Sequence, residues 1–342
     1  MRSIRWGIIG CGDVTEIKSG PALQKADGSA LVAVMRRDAA KAADYARRHG
    51  VGKWYSDAET LIADPEVDAI YVATPPAQHE RYALMACAAG KPCYVEKPMA
   101  RNAAEAALMV EAFAARAIPL FVAYYRRALP RFVRAGEMIR GGVLGPIQTA
   151  SYVYNDQQMA RRTEPVPWRL SAEQSGGGLF LDLGSHALDL LDFFFGPLAN
   201  VAGKAGNVAR QYDVEDHVEL TFSAPALSSG RATYHFSAGH REDRFTILGE
   251  HGRLEFSCFG TEPLILAVSG ESPQLIELPT PPHVQQPLIQ AIVDFLLGKT
   301  APLQWLSTGV VGLRTQQVMD RVLEDFYDGR ADGFWSRERN RR

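Results

Sequence analysis

At 342 residues the chain exceeds what one hydrophobic core ordinarily fills, so two domains are expected. Its 46% hydrophobic and 22% charged residues match a chain that folds by burial and exclude a disordered polyelectrolyte. A formal net charge of −2 leaves no basic field of the kind that phosphate-backbone binding needs, so no nucleic-acid partner is expected.

In chain order, residues 4–9 read as a buried strand and 13–26 as a helix. A second apolar run at 30–35 precedes a helical pattern from Asp38 to His49. The alternation continues with helix 57–63, strand 68–73, helix 79–89, strand 92–95, helix 102–116 and strand 120–123. Strands and helices in strict alternation imply a doubly wound parallel sheet covered on both faces. After about residue 126 the pattern changes. Helices at 130–140 and 184–195 flank a strand at 147–154, followed by strand patterns at 218–222, 230–236, 244–248, 252–256 and 264–268. These predict a C-terminal α+β domain with a large, open, mainly antiparallel sheet. Its free face is expected to be covered by a second copy, in a homodimer or homotetramer. Helices return at 284–298 and 306–328. The expected division is 1–125 for the first domain and 126–305 for the second, with 306–328 packing back on the first.

Cys11, Cys87, Cys93 and Cys258 lie far apart with no C-x-x-C pair, which predicts neither a disulfide framework nor a zinc knuckle. The N-terminus enters a strand directly, and no apolar run approaches the length of a membrane span. A cytoplasmic protein without a membrane partner is expected. The terminal run Arg337-Glu338-Arg339-Asn340-Arg341-Arg342 is short and interrupted, and reads as a solvated end. The histidines at 49, 217, 235, 240, 251 and 283 lack ligand spacing, so no metal site is predicted.

Chemistry concentrates in four places. Gly10-Cys11-Gly12-Asp13-Val14-Thr15 joins the first strand to the first helix, the context in which a glycine turn lets backbone approach a pyrophosphate. Gly10, Gly12, Asp13 and Val14 are therefore candidate cofactor contacts, with Thr15 where Gly or Ala is usual. The end of the second strand selects the dinucleotide, because a carboxylate there accepts from a ribose hydroxyl and repels a 2′-phosphate. This chain has Arg36 and Arg37 instead, which favours NADP over NAD, with Arg37 the weaker pointer. Asp182 and His186 stand at i and i+4 after three glycines, one turn apart on a helix face. An imidazole titrating near neutral pH can accept an alcohol proton while a carboxylate orients it or grips substrate, although such a pair is often only a structural hydrogen bond. Tyr124-Tyr125-Arg126-Arg127 follows the last strand of the first domain, where ligands bind beyond strand carboxyl ends.

The glycine turn, Val72-Ala73-Thr74-Pro75-Pro76-Ala77-Gln78-His79, Glu96-Lys97-Pro98, the run from Gly176 to His186, and the segment from Leu248 to Leu254 together resemble the glucose-fructose oxidoreductase / inositol dehydrogenase family (Gfo/Idh/MocA). The likeness spans essentially the whole chain. It implies that Thr74, Pro75, His79, Glu96 and Lys97 join the cofactor site. Lys97 would lie beside the nicotinamide and, in many relatives, precede a cis bond to Pro98. It also implies that Trp168 and Arg169 line the sugar side of the cleft; Tyr125, Arg126, Asp182 and His186 are, from their positions in the chain, further candidate substrate contacts, with Arg126 a candidate cofactor clamp as well. Pro76 departs from the family pattern, which has Asn there, and His79 can equally cap or pack at a helix start. Lys97, His186 and Asp182 are the expected catalytic group. The implied activity is NADP-linked hydride transfer to or from a secondary alcohol or ketone of a sugar, cyclitol or related polyol. Two alternatives share the fold: an NAD-dependent glycoside hydrolase, against which Arg36 and Arg37 argue, and a non-catalytic dinucleotide-binding regulator, against which the retained Lys97 and His186 argue.

Overall fold

The computed structural model describes residues 3–331 and 333–336. The Arg337–Arg342 run read as a solvated end lies outside the described residues. The chain divides into two compact units. The first takes the chain up to Ala100, then Glu105–Leu129 and Pro281–Leu313; the second takes Arg101–Ala104, Pro130–Thr280 and the chain from Arg314.

The first unit is built on six parallel strands: β1 (Ile4–Ile9), β2 (Ser29–Met35), β3 (Lys53–Tyr55), β4 (Ala69–Val72), β5 (Cys93–Val95) and β6 (Leu120–Val122), in the order β3-β2-β1-β4-β5-β6. β3 was not among the expected strands; it is only three residues long, too short to show a periodicity. The apolar runs of β1, β4, β5 and β6 are almost wholly buried, as strands covered by helices on both faces must be. The strand order reverses between β1 and β4, and the loops leaving these two strands at Gly10 and Ala73-Thr74 meet there. In such sheets that reversal is where ligands bind. The free side of β6 is occupied by a later segment of the chain, with Val122 N donating to Ser307 O at 2.7 Å and Phe121 bridging Thr308.

The helix expected over 13–26 has two parts, a π turn at Thr15–Ser19 and an α-helix at Gly20–Lys25. The Tyr45 hydroxyl donates to Thr15 O at 2.8 Å, and the Gly20 N–H closes the wide turn onto the same carbonyl. A Cβ at Gly20 would collide with Thr15 O and the Tyr45 hydroxyl, so glycine is what admits the tyrosine to this turn.

The second unit holds eight strands: β7 (Ile147–Asn155), β8 (Ala199–Gly206), β9 (His217–Ala224), β10 (Leu227–His235), β11 (Glu242–Gly249), β12 (Gly252–Phe256), β13 (Leu264–Val268) and β14 (Gln274–Ile276). Their order is β14-β13-β12-β11-β7-β10-β9-β8, antiparallel throughout except for β7 with β10. β8 and β14 were not anticipated, since edge strands that are mostly exposed lack the apolar alternation that marks a half-buried one. On the inner face Tyr152, Tyr234, Phe245 and Phe256 form a chain of ring contacts, and Phe180 meets Tyr234 edge-on at 5.0 Å. The helix Ser185–Phe195 is nearly all buried, so the inner face of this sheet is the core of the unit. The outer face presents Ser151, Val153 and Asn155 of β7 beside Arg231, Thr233 and His235 of β10.

Pro281–Leu313 joins the first unit, whereas the sequence reading ran the second domain through 305. Long-range side-chain contacts decide this: Gln285 bonds Tyr94 and Glu96, and Phe295 meets Phe121 edge-on at 5.8 Å. The helix Gly309–Tyr327 crosses from one unit to the other at Arg314.

Candidate active site

The glycine turn leaves β1 at Gly10, whose φ of 92° is a conformation that side chains disfavour. A Cβ on Gly10 would lie 2.7 Å from Thr74 Cγ2, so glycine also lets the two loops close on each other. At Gly12 a Cβ would meet only Gly10 O, at 3.9 Å, which leaves the backbone open to an approaching group. Thr15 is buried, and its hydroxyl donates to Gly12 O at 2.7 Å. The side chain that breaks the small-residue pattern therefore braces the turn from beneath. Asp13 is exposed and Val14 half-buried at its rim. Thr74 Oγ1 is buried with no hydrogen-bond partner among the described residues. An open backbone cradle with an unsatisfied hydroxyl beside it fits a dinucleotide pyrophosphate. Gly10, Gly12, Asp13, Val14 and Thr74 would hold it.

Arg36 follows β2 half-buried, with its guanidinium 3.3 Å from Cys11 O, and Arg37 beside it is exposed. Nearby, Glu16 on the π turn is paired with Arg48 and His49, each at 2.7 Å. The Arg48 guanidinium, with His49, holds the Glu16 carboxyl down at about 2, well below the usual range.

Glu96 and Lys97 follow β5, and the Lys97–Pro98 peptide is cis. The Glu96 carboxylate is 6% exposed and accepts from the Tyr71 hydroxyl at 2.6 Å, from the Gln285 amide at 2.7 Å and from the Lys97 N–H at 3.1 Å. Lys97 itself is only partly buried. His79, in contrast, is fully buried. Its Nε2 lies 2.7 Å from Thr74 O, and Nδ1 lies 3.1 and 3.3 Å from Pro98 O and Met99 O. Both ring nitrogens thus face backbone carbonyls, and the ring ties the Thr74 loop to the Lys97-Pro98 turn. Burial lowers its pKa against the pull of those carbonyls. Pro75 is extended, and Pro76 is buried where it opens a single 3₁₀ turn leading to His79. Tyr125 is buried at the start of another 3₁₀ turn after β6, with the Arg126 guanidinium 5.4 Å from its ring.

In the second unit the three glycines before Asp182 each answer a close approach. A Cβ at Gly176, where φ is 85°, would collide with Arg101 O, one at Gly178 with Glu215 O, and one at Gly177 would press on the Glu215 carboxylate at 3.2 Å. Glu215 is fully buried, accepting from Gly178 N at 2.9 Å and from the Tyr327 hydroxyl at 2.6 Å. Burial raises its pKa above the usual carboxylate value, partly offset by these bonds. Arg330, also buried, donates to Gly176 O, Arg101 O and Asp320. The chain end thereby clamps the loop that feeds the Asp182–His186 segment.

That segment opens with a second π turn, Phe180–Gly184, rather than the plain α-helix assumed from the i, i+4 spacing. The turn leaves room only for glycine at its end, since a Cβ at Gly184 would lie 2.5 Å from Phe180 and 3.3 Å from Tyr234. Asp182 pairs with Arg169 at 3.1 Å, and the Arg169 guanidinium stacks 4.2 Å above the Trp168 ring. His186 is 3% exposed, with its ring edge-on to Phe259 at 6.0 Å. The Phe259 and Cys258 N–H groups both donate to Asp243, which also accepts from the Tyr152 hydroxyl. Gln285, Tyr71, Glu215, Arg330 and Asp243 escaped the sequence reading, because the partners of their side chains lie 10 to 229 residues away and no local spacing marks them. Among the described residues there is no cluster able to hold a metal ion, and no helix is long and apolar enough to cross a membrane. All four cysteines are free and buried.

A family model described as "Oxidoreductase family, NAD-binding Rossmann fold" matches residues 4–124, and one for the GFO/IDH/MocA C-terminal domain matches residues 132–255. The chain is 41% identical over 303 residues to "Oxidoreductase P35" of Formosa agariphila, covering 86% of this chain and 91% of that protein. It is 30% identical over 285 residues to trans-1,2-dihydrobenzene-1,2-diol dehydrogenase of Bos taurus, covering 82% and 81%. Among solved structures, levoglucosan dehydrogenase in complex with NADH and L-sorbose superposes with a TM-score of 0.82 over 95% of this chain and 96% of that one. At 21% identity this is a likeness of fold.

Proposed function

We propose, from the premise that this chain belongs to the GFO/IDH/MocA oxidoreductase family, that it is an NADP-linked dehydrogenase of a cyclic polyol: a sugar, a cyclitol or a related vicinal diol. The observation that carries this reading is Lys97, held on a turn whose neighbour Glu96 is fixed by three donors, in the same unit as an open glycine cradle. An ammonium there donates to a substrate oxygen and stabilises the negative charge that grows on it. His186 serves as the base that takes the hydroxyl proton, and Asp182, fixed by Arg169, grips a neighbouring hydroxyl or orients the imidazole. The nicotinamide, when bound, supplies the hydride chemistry. Tyr125, Arg126, Trp168 and Arg169 complete the substrate contacts, while His79 positions the Thr74 and Pro98 loops. The relative named for trans-1,2-dihydrobenzene-1,2-diol supports a ring-shaped substrate bearing adjacent hydroxyls.

Arg36 with Arg37, and the absence of a carboxylate at the end of β2, support NADP over NAD. The reading includes a homodimer or homotetramer formed through the outer face of the eight-stranded sheet, to be checked by light scattering. The direct test of function is a spectrophotometric screen of sugars, keto-sugars and cyclic diols with NADP(H) and NAD(H). Net nicotinamide turnover that falls by about 10²-fold or more in Lys97→Ala and in His186→Ala supports the reading. Cleavage of aryl glycosides without net turnover, or wild-type rates in the double variant, would overturn it.

A further inference from the structure

Gln285 has no exposed surface and lies 188 residues after Lys97, yet its side chain ends on the carboxylate of the residue next to it. Both ends of the amide are used. Oε1 accepts from the Tyr94 hydroxyl at 2.8 Å, and Nε2 donates to Glu96 Oε1 at 2.7 Å. The same carboxylate oxygen takes the Tyr71 hydroxyl, while the other takes the Lys97 N–H. The segment around Gln285 is anchored independently to the helix behind the glycine turn, by backbone and by side chain. Gln285 N donates to Lys18 O, and His283 Nδ1 lies 2.7 Å from Ile17 O.

A buried amide with partners at both ends fixes orientation, since an apolar group of the same shape would leave Tyr94 and Glu96 each short of one bond. Tyr71 and Tyr94 stack at 4.9 Å and cannot swing to compensate without breaking that contact. Of the three donors to Glu96, two come from β4 and from Lys97 itself; Gln285 alone arrives from outside the strand-loop framework. We infer that Gln285 is a positioning residue for Lys97, acting through Glu96 to set the Glu96-Lys97-Pro98 turn. The inference rests on the assignment of Lys97 to the reaction.

The test uses the full chain carrying Gln285→Leu or Gln285→Glu. Lys97 is followed by competitive acetylation with acetic anhydride from about pH 7 to about pH 11, read by peptide mass spectrometry, with exposed Lys41 as internal control. NADPH binding is followed by fluorescence. In Gln285→Leu the Lys97 labelling rate should change at least about threefold, with Lys41 unchanged and NADPH affinity within about threefold. On the best substrate of the screen, kcat should fall about tenfold or more while KM holds within about threefold. Gln285→Glu can share one proton with Glu96 and so mimic the amide at the lower end of the range. Its Lys97 labelling should match wild type there and depart as pH rises, with Tyr71, Tyr94 and His79 the other titratable groups facing the network. If Gln285→Leu does not fold, that departure alone decides. Labelling of Lys97 identical to wild type in the folded variants would overturn the inference. A Lys97 response in a protein that transfers no hydride to any substrate would instead overturn the dehydrogenase reading and leave the positioning role standing.

Discussion

Arg169 Nε lies 3.1 Å from Asp182 Oδ2 while its guanidinium plane rests 4.2 Å above the Trp168 ring. One side chain thereby joins the two parts of the second unit that sequence alone could only name separately. Asp182 keeps 14% of its side-chain surface and Arg169 keeps 47%, so solvent reaches the pair mainly from the arginine side. Arg169→Leu is expected to raise KM about tenfold with a smaller effect on kcat, and Arg169→Lys to recover only part of the loss because an ammonium cannot both stack and fork. Steady-state kinetics on the screened substrate checks this; an unchanged KM would separate Asp182 from substrate binding.

Arg36→Asp is expected to reverse cofactor preference. Removing a guanidinium that pairs with a 2′-phosphate costs roughly 1.5–3 kcal/mol, or about 10- to 150-fold in affinity, and the new carboxylate can accept from the NADH ribose. Parallel fluorescence titrations with NADPH and NADH measure it. Tighter binding of NADH than NADPH by the unaltered protein would sink the NADP assignment.

Gly176→Ala is expected to destabilise the second unit by about 1–3 kcal/mol, from a positive φ and a collision of the new Cβ with Arg101 O. Urea denaturation followed by circular dichroism gives the shift in midpoint. Gly12→Ala makes the contrast, because its Cβ meets nothing closer than 3.9 Å. There the unfolding midpoint should barely move while NADPH binding weakens.

The Glu16 carboxyl is held at about 2 by Arg48 and His49. Its folded pKa lies below its unfolded value of roughly 4.3, so the pair stabilises the protein above that unfolded value and the contribution fades as pH falls toward about 2. Glu16→Gln should therefore be less stable than wild type at neutral pH, with the difference in urea midpoint shrinking between about pH 5 and about pH 3. A constant difference across that interval would show that the pair does not act through charge.

Much of the architecture was legible because it is written in local periodicity. The buried runs of β1, β4 and β6 and the helices Ala39–His49, Pro130–Arg140 and Gln286–Leu296 fall within a few residues of where apolar spacing placed them. β3, β8 and β14 were missed, since short or exposed strands carry no such signal. Both helices assumed to be regular at candidate sites open with π turns. Each carries one glycine crowded by a distant tyrosine, Tyr45 at Gly20 and Tyr234 at Gly184, a crowding that no spacing rule reveals.

By itself the sequence determined the alternation that makes a parallel sheet, the change to an antiparallel one, the glycine turn, and the residue types in Glu96-Lys97-Pro98 and Asp182-x-x-x-His186. Those follow from backbone preferences and side-chain chemistry, which act over a few residues. Only the tertiary structure decided that Gln285 reaches Glu96, that Glu215 and Arg330 brace the three glycines, that His79 spends both nitrogens on carbonyls, and that Asp182 is held by Arg169. Most of these contacts join segments tens to hundreds of residues apart, and the nearer ones, His79 with Thr74 and Asp182 with Arg169, follow no helix or strand spacing. Buried polar groups must find partners wherever the fold brings them, and local pattern carries no record of which partner that is.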